Sequence, residues 1–173
     1  MTILIAYDGS ESADGAISAA RDLLGGASGE AVVLSVWEPL VDQALRSLRF
    51  GGRLPVMTDV AGFDAQSEDQ ARQLAEHGAR RAGEAGEAGF EARPLWVADK
   101  HAIADTIVDR AEELDVDLIV LGARGLTGIR AFLGSVSNHV LQHAHRPVLV
   151  IPATAVAAES SGQDPSTAIA TAS

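Results

Sequence analysis

The chain has 173 residues, of which 47% are apolar, and a formal net charge of −11. This length supports one packed domain, and the acidic balance lacks the basic face that nucleic-acid-binding proteins use. The absence of cysteine excludes disulfides, thiolate catalysis and cysteine-ligated metal sites. Lys100 is the only lysine, and the GxxxxGK[ST] phosphate-binding pattern is absent, so arginine, backbone or metal would have to contact phosphate.

The amino-terminal sequence MTILIAYDGS has no basic segment followed by a long apolar one. No uncharged apolar stretch reaches the length of about eighteen residues that a membrane-spanning helix needs. We therefore expect a cytoplasmic protein that does not insert into a membrane.

Short apolar segments rich in β-branched residues predict five strands that are buried on both faces of a parallel sheet. The predicted strands are residues 2–7, 31–37, 90–97, 117–121 and 148–151. Helical spacing of apolar residues predicts helices at 12–24, 67–84 and 103–114, and another that begins at 134–135. The alternation predicts an α/β fold, an open five-stranded parallel sheet with helices on both faces.

Two segments do not fit this alternation. Residues 38–66 are longer than an ordinary connection, and Val41, Ala44, Leu45 and Leu48 predict a short extra helix there, followed by a mobile turn. This segment is either a lid over a ligand or an insertion without a chemical role. Residues 153–173 are small, polar and acidic without an apolar period, which predicts a disordered tail.

The loop after the first predicted strand carries a candidate ligand-binding carboxylate. Ligands of open parallel sheets bind at the carboxyl ends of strands, and Asp8 lies at such an end, where it could accept hydrogen bonds from a ribose or an adenine. The alternative is that Asp8 or Ser10 only caps the amino terminus of the first helix.

A second loop, after the fourth predicted strand, is rich in glycine. Gly122, Gly125 and Gly128 leave backbone N–H groups unscreened, and the segment from Gly134 to Ser137 opens a helix whose amino terminus favours an anion. This arrangement suits a polyphosphate.

The side chains near this loop offer further phosphate contacts. Ser135 and Ser137 could donate to phosphate or hold a magnesium-bound water, although Ser135 is also an ordinary helix cap. Arg124 and Arg130 are the basic side chains available to neutralise phosphate.

Neither a metal site made of protein ligands nor a hydrolase nucleophile is indicated. His139 and His143 share a helix face, and His145 follows, but the segment supplies no carboxylate ligand, so packing or surface exposure is the favoured reading. The GxSxG motif of a hydrolase nucleophile is also absent.

Four segments resemble the universal stress protein family in its single-domain form: ILIAYDGS, VVLSVWEP, DLIVLGARGLTG and LGSVSNHVLQHAHRPVLVIP. The resemblance covers residues 1–152 and implies one universal stress protein domain before the tail. It implies the strand order 3-2-1-4-5 of adenine-nucleotide alpha-hydrolase-like folds. It also implies a homodimer paired through the strand from Val148 to Ile151, whose apolar edge would thereby be covered.

One branch of this family binds ATP through Gly, two residues, Gly, nine residues, Gly, then Ser or Thr. Gly122, Gly125, Gly134 and Ser135 match this pattern, except that eight residues separate the second and third glycines. The family also often has a Gly-x-Pro turn where this chain has residues 98–101. With Arg124 added from the loop, the predicted site comprises Ala6, Tyr7, Asp8, Val36, Leu121, Gly122, Arg124, Gly125, Gly134, Ser135, Val136 and Ser137.

The resemblance implies ATP as ligand, with Mg²⁺ bound through its phosphates near Ser135. We expect a dimeric stress or regulatory protein whose nucleotide occupancy is read by partner proteins. A slow ATPase and a dimeric interaction module without nucleotide are the alternatives. Because phosphoryl transfer needs a positioned base and strong cationic clamps, and the loop offers at most two arginines, binding is favoured over turnover.

Overall fold

The structure is a computed structural model that describes residues 1–24, 29–49, 59–84, 90–99, 101–123 and 134–152. Its strands are β1 (Thr2–Ala6), β2 (Glu30–Trp37), β3 (Glu91–Ala98), β4 (Leu118–Ala123) and β5 (Val148–Pro152). Its helices are α1 (Glu11–Leu24), α2 (Leu40–Arg49), α3 (Val60–Gly83), α4 (Ile103–Glu113) and α5 (Ser135–His143).

The five strands form one parallel sheet in the order β3-β2-β1-β4-β5, which confirms the predicted topology. The register of the central strand β1 places Leu4 opposite Val32 of β2 and Ile119 of β4. Ile3, Leu4 and Ile5 have no exposed surface, because helices cover both faces of the sheet. An uninterrupted apolar strand is the sequence signature of that environment.

Alternate residues of the strands supply two separate cores, since successive side chains point to opposite faces. Ile5 and Val33 pack against α1 and α3 on one face, and Leu4 and Val32 pack against α4 and α5 on the other. Helices therefore lie on both faces, as predicted.

The connection between β2 and β3 differs from its prediction. Helix α3 begins at Val60 rather than at residue 67, with Asp59 as its cap, whose Oδ1 accepts a hydrogen bond from Gly62 N–H at 2.9 Å. The predicted start of this helix lies too far along the chain, because the buried alanine residues of α3 begin only at Ala71. The predicted extra helix exists as α2, and the predicted mobile turn falls on 50–58, outside the described residues.

Strand β4 is longer than predicted, because it continues past Leu121. Gly122 and Ala123, which the sequence placed in the glycine loop, pair with Ile151 and Pro152 of β5. The predicted tail at 153–173 lies outside the described residues. No helix in the described ranges has the length and apolar character needed to cross a bilayer.

Candidate functional site

A cavity of about 230 Å³ opens at the carboxyl edge of the sheet, where β1 and β4 lie side by side. Helix α1, which follows β1, packs on one face of the sheet, and α5, which follows β4, packs on the other. Ligands of open α/β sheets bind at such a point of divergence. The described residues that line it are Ala6, Tyr7, Asp8, Ser10, Ser12, Ala13, Leu34, Val36, Ile103, Ile107, Leu121, Gly122, Gly134, Ser135, Val136 and Ser137.

Every predicted site residue within the described ranges lines this cavity. Arg124 and Gly125 lie outside the described residues, as do Gly128 and Arg130. The prediction missed Leu34, which the alternation of β2 could have revealed, because Leu34 and Val36 project from the same face of the strand.

The other lining residues that the prediction missed come from the first turns of α1 and α4 and from the residue just before α1. They are Ser10, Ser12, Ala13, Ile103 and Ile107. Helices α1 and α4 follow parallel strands and so begin at this edge, but the local sequence does not show which of their first residues face the cavity, because the packing of both helices on the sheet decides that.

Ser10, not Asp8, caps α1. The N–H of Ala13 donates to the Ser10 carbonyl oxygen at 3.0 Å and to Ser10 Oγ at 3.3 Å. Asp8 Oδ1 accepts the Ser10 N–H at 3.0 Å across Gly9, whose φ of 75° favours glycine. Asp8 therefore shapes the turn before the helix and lies exposed at the rim of the cavity.

The ring of Tyr7 belongs to the core between the sheet and helices α1 and α3. Its hydroxyl donates to Asp14 Oδ1 at 2.7 Å, and its N–H donates to the Leu34 carbonyl oxygen at 2.8 Å. Burial, followed by the hydrogen bond to Asp14, raises the pKa of Tyr7 from 10.0 to about 12. The ring thus points away from the face on which the apolar residues of the cavity lie.

Gly122 lies against the first turn of α1. A Cβ atom added there would stand 2.4 Å from the Ser12 carbonyl oxygen and 2.9 Å from the Ala13 nitrogen, closer than atoms can approach. On the other side, Ser137 Oγ donates to the Gly122 carbonyl oxygen at 3.2 Å. The end of β4 is therefore held between the starts of α1 and α5.

The amino terminus of α5 faces the cavity without a side-chain cap. Its cap residue, Gly134, makes no such bond, and the first helical hydrogen bond runs from Asn138 N–H to the Gly134 carbonyl oxygen at 2.9 Å. The N–H groups of Ser135, Val136 and Ser137 precede that bond, and no acidic residue occupies the first turn. This end of α5 favours an anion.

The two predicted phosphate-binding serines are not equivalent. Ser137 is buried and its hydroxyl proton is donated to the Gly122 carbonyl oxygen, whereas Ser135 is exposed at the mouth of the cavity. A hydroxyl has a single proton to donate. Ser135 is thus the better placed donor to a bound anion.

The histidines of α5 pair with carboxylates from α4. His139 Nε2 lies 2.6 Å from Asp105 Oδ1 and, beyond α5, His145 Nδ1 lies 2.6 Å from Glu112 Oε1. His143 stacks on His139 with ring centres 4.0 Å apart. Within the part of the chain that the structure describes, no three histidine, aspartate or glutamate side chains are grouped as metal ligands.

Comparison with known proteins decides the family, since the model of the universal stress protein family matches residues 1–152. The chain belongs to the universal stress protein family. Universal stress protein MJ0531 of Methanocaldococcus jannaschii is 51% identical over 49 residues, which are 28% of this chain and 29% of that relative. The aligned part thus spans less than a third of the length of that curated relative.

Several solved structures share the fold, and some of them are universal stress proteins. The hypothetical protein PH0823 matches with a TM-score of 0.61 and 29% identity over 87% of this chain and 94% of that one. A family protein from Arabidopsis thaliana with AMP bound matches with a TM-score of 0.59, 19% identity and coverage of 88% and 91%. A universal stress protein in complex with cAMP matches with a TM-score of 0.57, 22% identity and coverage of 87% and 96%.

Proposed function

We propose that this universal stress protein binds ATP in the cavity between β1 and β4, and that partner proteins read the nucleotide occupancy of a homodimer. One observation carries the proposal. Asp8 at the rim, an apolar slot beyond it and the uncapped amino terminus of α5 all converge on one cavity.

The apolar part of the cavity suits an adenine base. Leu34 and Val36 of β2 form one wall, and Ile103 and Ile107 of α4 form another. A flat aromatic base buries its faces well in such a slot, while a few polar groups at the rim orient it. Asp8 would accept hydrogen bonds from the ribose or the base.

The phosphates would lie along the start of α5. The cavity volume of about 230 Å³ falls below the roughly 300–1,000 Å³ of typical ligand pockets, so the phosphates would extend beyond it. Ser135 and the N–H groups of the first turn of α5 would donate to their oxygens. The predicted contacts from Arg124 and Gly125, and a Mg²⁺ ion held through the phosphates, complete this proposal.

Binding suits the described residues better than turnover does. Asp8 is the only formally charged side chain among the described lining residues, and it already accepts the Ser10 N–H. Phosphoryl transfer needs a positioned base together with strong cationic stabilisation. That two structural neighbours were solved with AMP and with cAMP further supports an adenine nucleotide.

The cytoplasmic location stays a prediction.

The two edges of the sheet differ in a way that supports dimerisation through β5. The edge strand β3 carries Glu91, Arg93 and Pro94, which are residues that discourage pairing with another strand. Strand β5, at the opposite edge, runs from Val148 to Ile151 without a polar side chain. Pairing of two β5 strands would cover this apolar edge.

Calorimetric titration of the purified protein with ATP, with and without Mg²⁺, tests the proposal. We expect saturable binding of one nucleotide per chain, with ATP recovered intact. Absence of saturable binding at about millimolar ATP would favour the interaction module without nucleotide, and release of ADP during incubation would favour the slow ATPase.

A carboxamide variant then tests the orientation of the ligand. Asp8→Asn retains an oxygen for the turn to Ser10 but loses the charge, and we expect it to weaken ATP binding roughly tenfold, as for a lost hydrogen bond to a charged group. Asp22→Asn, an exposed position on α1, is the matched control and should bind normally. Equal affinities in both variants would contradict the placement of the ribose or base at Asp8.

A further inference from the structure

Asp99, the residue that follows β3, is the only carboxylate among the described residues whose side chain is completely buried. Its Oδ2 accepts a hydrogen bond from Arg46 Nη2 at 2.8 Å. Its Oδ1 accepts hydrogen bonds from His101 N–H at 2.8 Å and from Thr106 Oγ1 at 3.1 Å. Both carboxylate oxygens are therefore used, one by α2 and the other by the start of α4.

Arg46 joins the same elements from the other side. Its Nη1 donates to the His101 carbonyl oxygen at 2.7 Å, and its Nη2 lies 3.2 Å from Glu38 Oε1, just after β2. The hydrogen bond to Asp99 raises the pKa of Arg46 above its usual range, so the guanidinium stays charged. One side chain of α2 thus connects the ends of β2 and β3 with the beginning of α4.

These connections involve residues that are close in sequence to the apolar walls of the cavity. Glu38 follows the lining residue Val36 by two positions, and Thr106 lies between the lining residues Ile103 and Ile107 along α4. Neither Arg46 nor Asp99 lines the cavity itself. An effect of the pair on the base end of a ligand would therefore pass through the walls next to it.

We propose that Arg46 and Asp99 are positioning residues for the base end of the nucleotide site, which hold α4 against β2 and so set the width of the apolar slot. The inference rests on the proposed nucleotide binding. It gives α2 a role in ligand binding, in place of an insertion without a chemical role.

The chemistry of the pair supports a positioning role over a purely stabilising one. Removing a carboxylate from water is costly, and an apolar pair of similar volume is often as stable as a buried ion pair. A fully hydrogen-bonded ionic group, by contrast, specifies one arrangement of the elements that it joins. Asp99 joins three elements in this way: α2, the end of β3 and the start of α4.

Two variants and a control separate positioning from stability. Arg46→Met removes the cation, and the double variant with Asp99→Asn also removes the buried charge that would otherwise stay unpaired. Arg72→Met is the matched control, because Arg72 pairs with Asp69 and Glu76 on the solvent-facing side of α3. Calorimetry of each protein with AMP and with ATP, well below its melting temperature, provides the comparison.

We expect both variants to bind AMP and ATP roughly tenfold more weakly, because an apolar pocket that no longer fits its ligand loses affinity of this size. The ratio of the AMP affinity to the ATP affinity should stay unchanged. The control should bind as the wild type does. Wild-type affinity in both variants, or a loss confined to ATP, would overturn the inference while the proposed function stands. Absence of AMP and ATP binding by the wild type would overturn both.

Discussion

The main chain of Ser12 passes so close to Gly122 that no side chain fits between them, because a Cβ atom on Gly122 would stand 2.4 Å from the Ser12 carbonyl oxygen. The first turn of α1 and the end of β4 both line the candidate nucleotide site. The first glycine of the ATP-binding pattern is thus required by the packing of this edge, independently of any phosphate that lies near it.

Gly122→Ala should therefore lower the free energy of unfolding by about 1–3 kcal/mol, the usual cost of forcing an extra carbon into a packed site. Urea unfolding measures this change. A loss of ATP affinity in this variant would not by itself show that phosphate touches Gly122, since the start of α1 must move.

Gly83→Ala is the matched control for that experiment. Among the described residues, the nearest atom to an added Cβ at Gly83, the last residue of α3, is the Phe90 carbonyl oxygen at an ordinary 3.7 Å. Alanine favours the helix over glycine, so stability should stay level or rise by up to about 1 kcal/mol. Equal destabilisation of the two variants would contradict the special closeness of Gly122 to α1.

Ser135 and Ser137 should separate into a ligand contact and a structural contact. Ser137→Ala loses the buried hydrogen bond to the Gly122 carbonyl oxygen and should lower unfolding stability by about 1 kcal/mol. Ser135→Ala should leave stability unchanged and weaken ATP more than AMP. Urea unfolding and calorimetry on the two variants test this, and the reverse pattern would contradict the geometry of α5.

The phenol of Tyr7 should ionise only at strongly alkaline pH. Its pKa in the folded protein is raised from 10.0 to about 12 by burial and by the hydrogen bond to Asp14. Because the chain contains one tyrosine, the tyrosinate absorbance reports this group alone. A midpoint near 10 in the folded protein would contradict the buried hydroxyl.

The same shift makes the contribution of Tyr7 to stability depend on pH. The unfolded chain loses the phenol proton first, so this contribution is complete below pH 10 and is lost as the pH rises toward 12. About 3 kcal/mol is at stake, since the pKa rises from 10.0 to about 12 and each pKa unit is worth about 1.4 kcal/mol. Tyr7→Phe should lack this loss in urea unfolding, and should bind ATP normally because the ring lies in the α1 and α3 core.

A charge on the β5 edge should separate the proposed dimer. Val150→Lys places an ammonium group on the apolar edge strand, and light scattering should then report the mass of one chain where the wild type shows two. Val97→Lys is the control, since Val97 is a half-buried valine on the opposite edge strand β3. Dissociation by Val97→Lys and not by Val150→Lys would place the interface at β3.

Regular features of this chain were predictable from local pattern. The five strands, their parallel order and α2 follow from apolar periodicity and family resemblance, and the structure confirms them. The start of α3 was missed, because Asp59 caps a turn whose residues are largely exposed and carry no apolar period. A capping aspartate is a weaker signal than a buried stripe.

The candidate site was predicted only in part, because its residues are of two kinds. Asp8 and the residues from Gly134 to Ser137 follow strand ends or open a helix, and the sequence marks both situations. The apolar wall from Ile103 and Ile107 reads as an ordinary buried stripe of α4, and nothing local distinguishes its cavity end from its core end.

The sequence alone determined which elements form and which strand ends and helix starts meet at the carboxyl edge, because the elements follow from apolar periodicity and the strand order from the family resemblance. Only the tertiary structure showed which contacts the individual residues make. Gly122 lies against α1 without room for a side chain, Ser137 donates a hydrogen bond to β4, and Arg46 pairs with the buried Asp99. Each of these contacts depends on the distance between elements that are far apart in the chain. That distance is set by tertiary packing and cannot be read from the spacing of residues along the sequence.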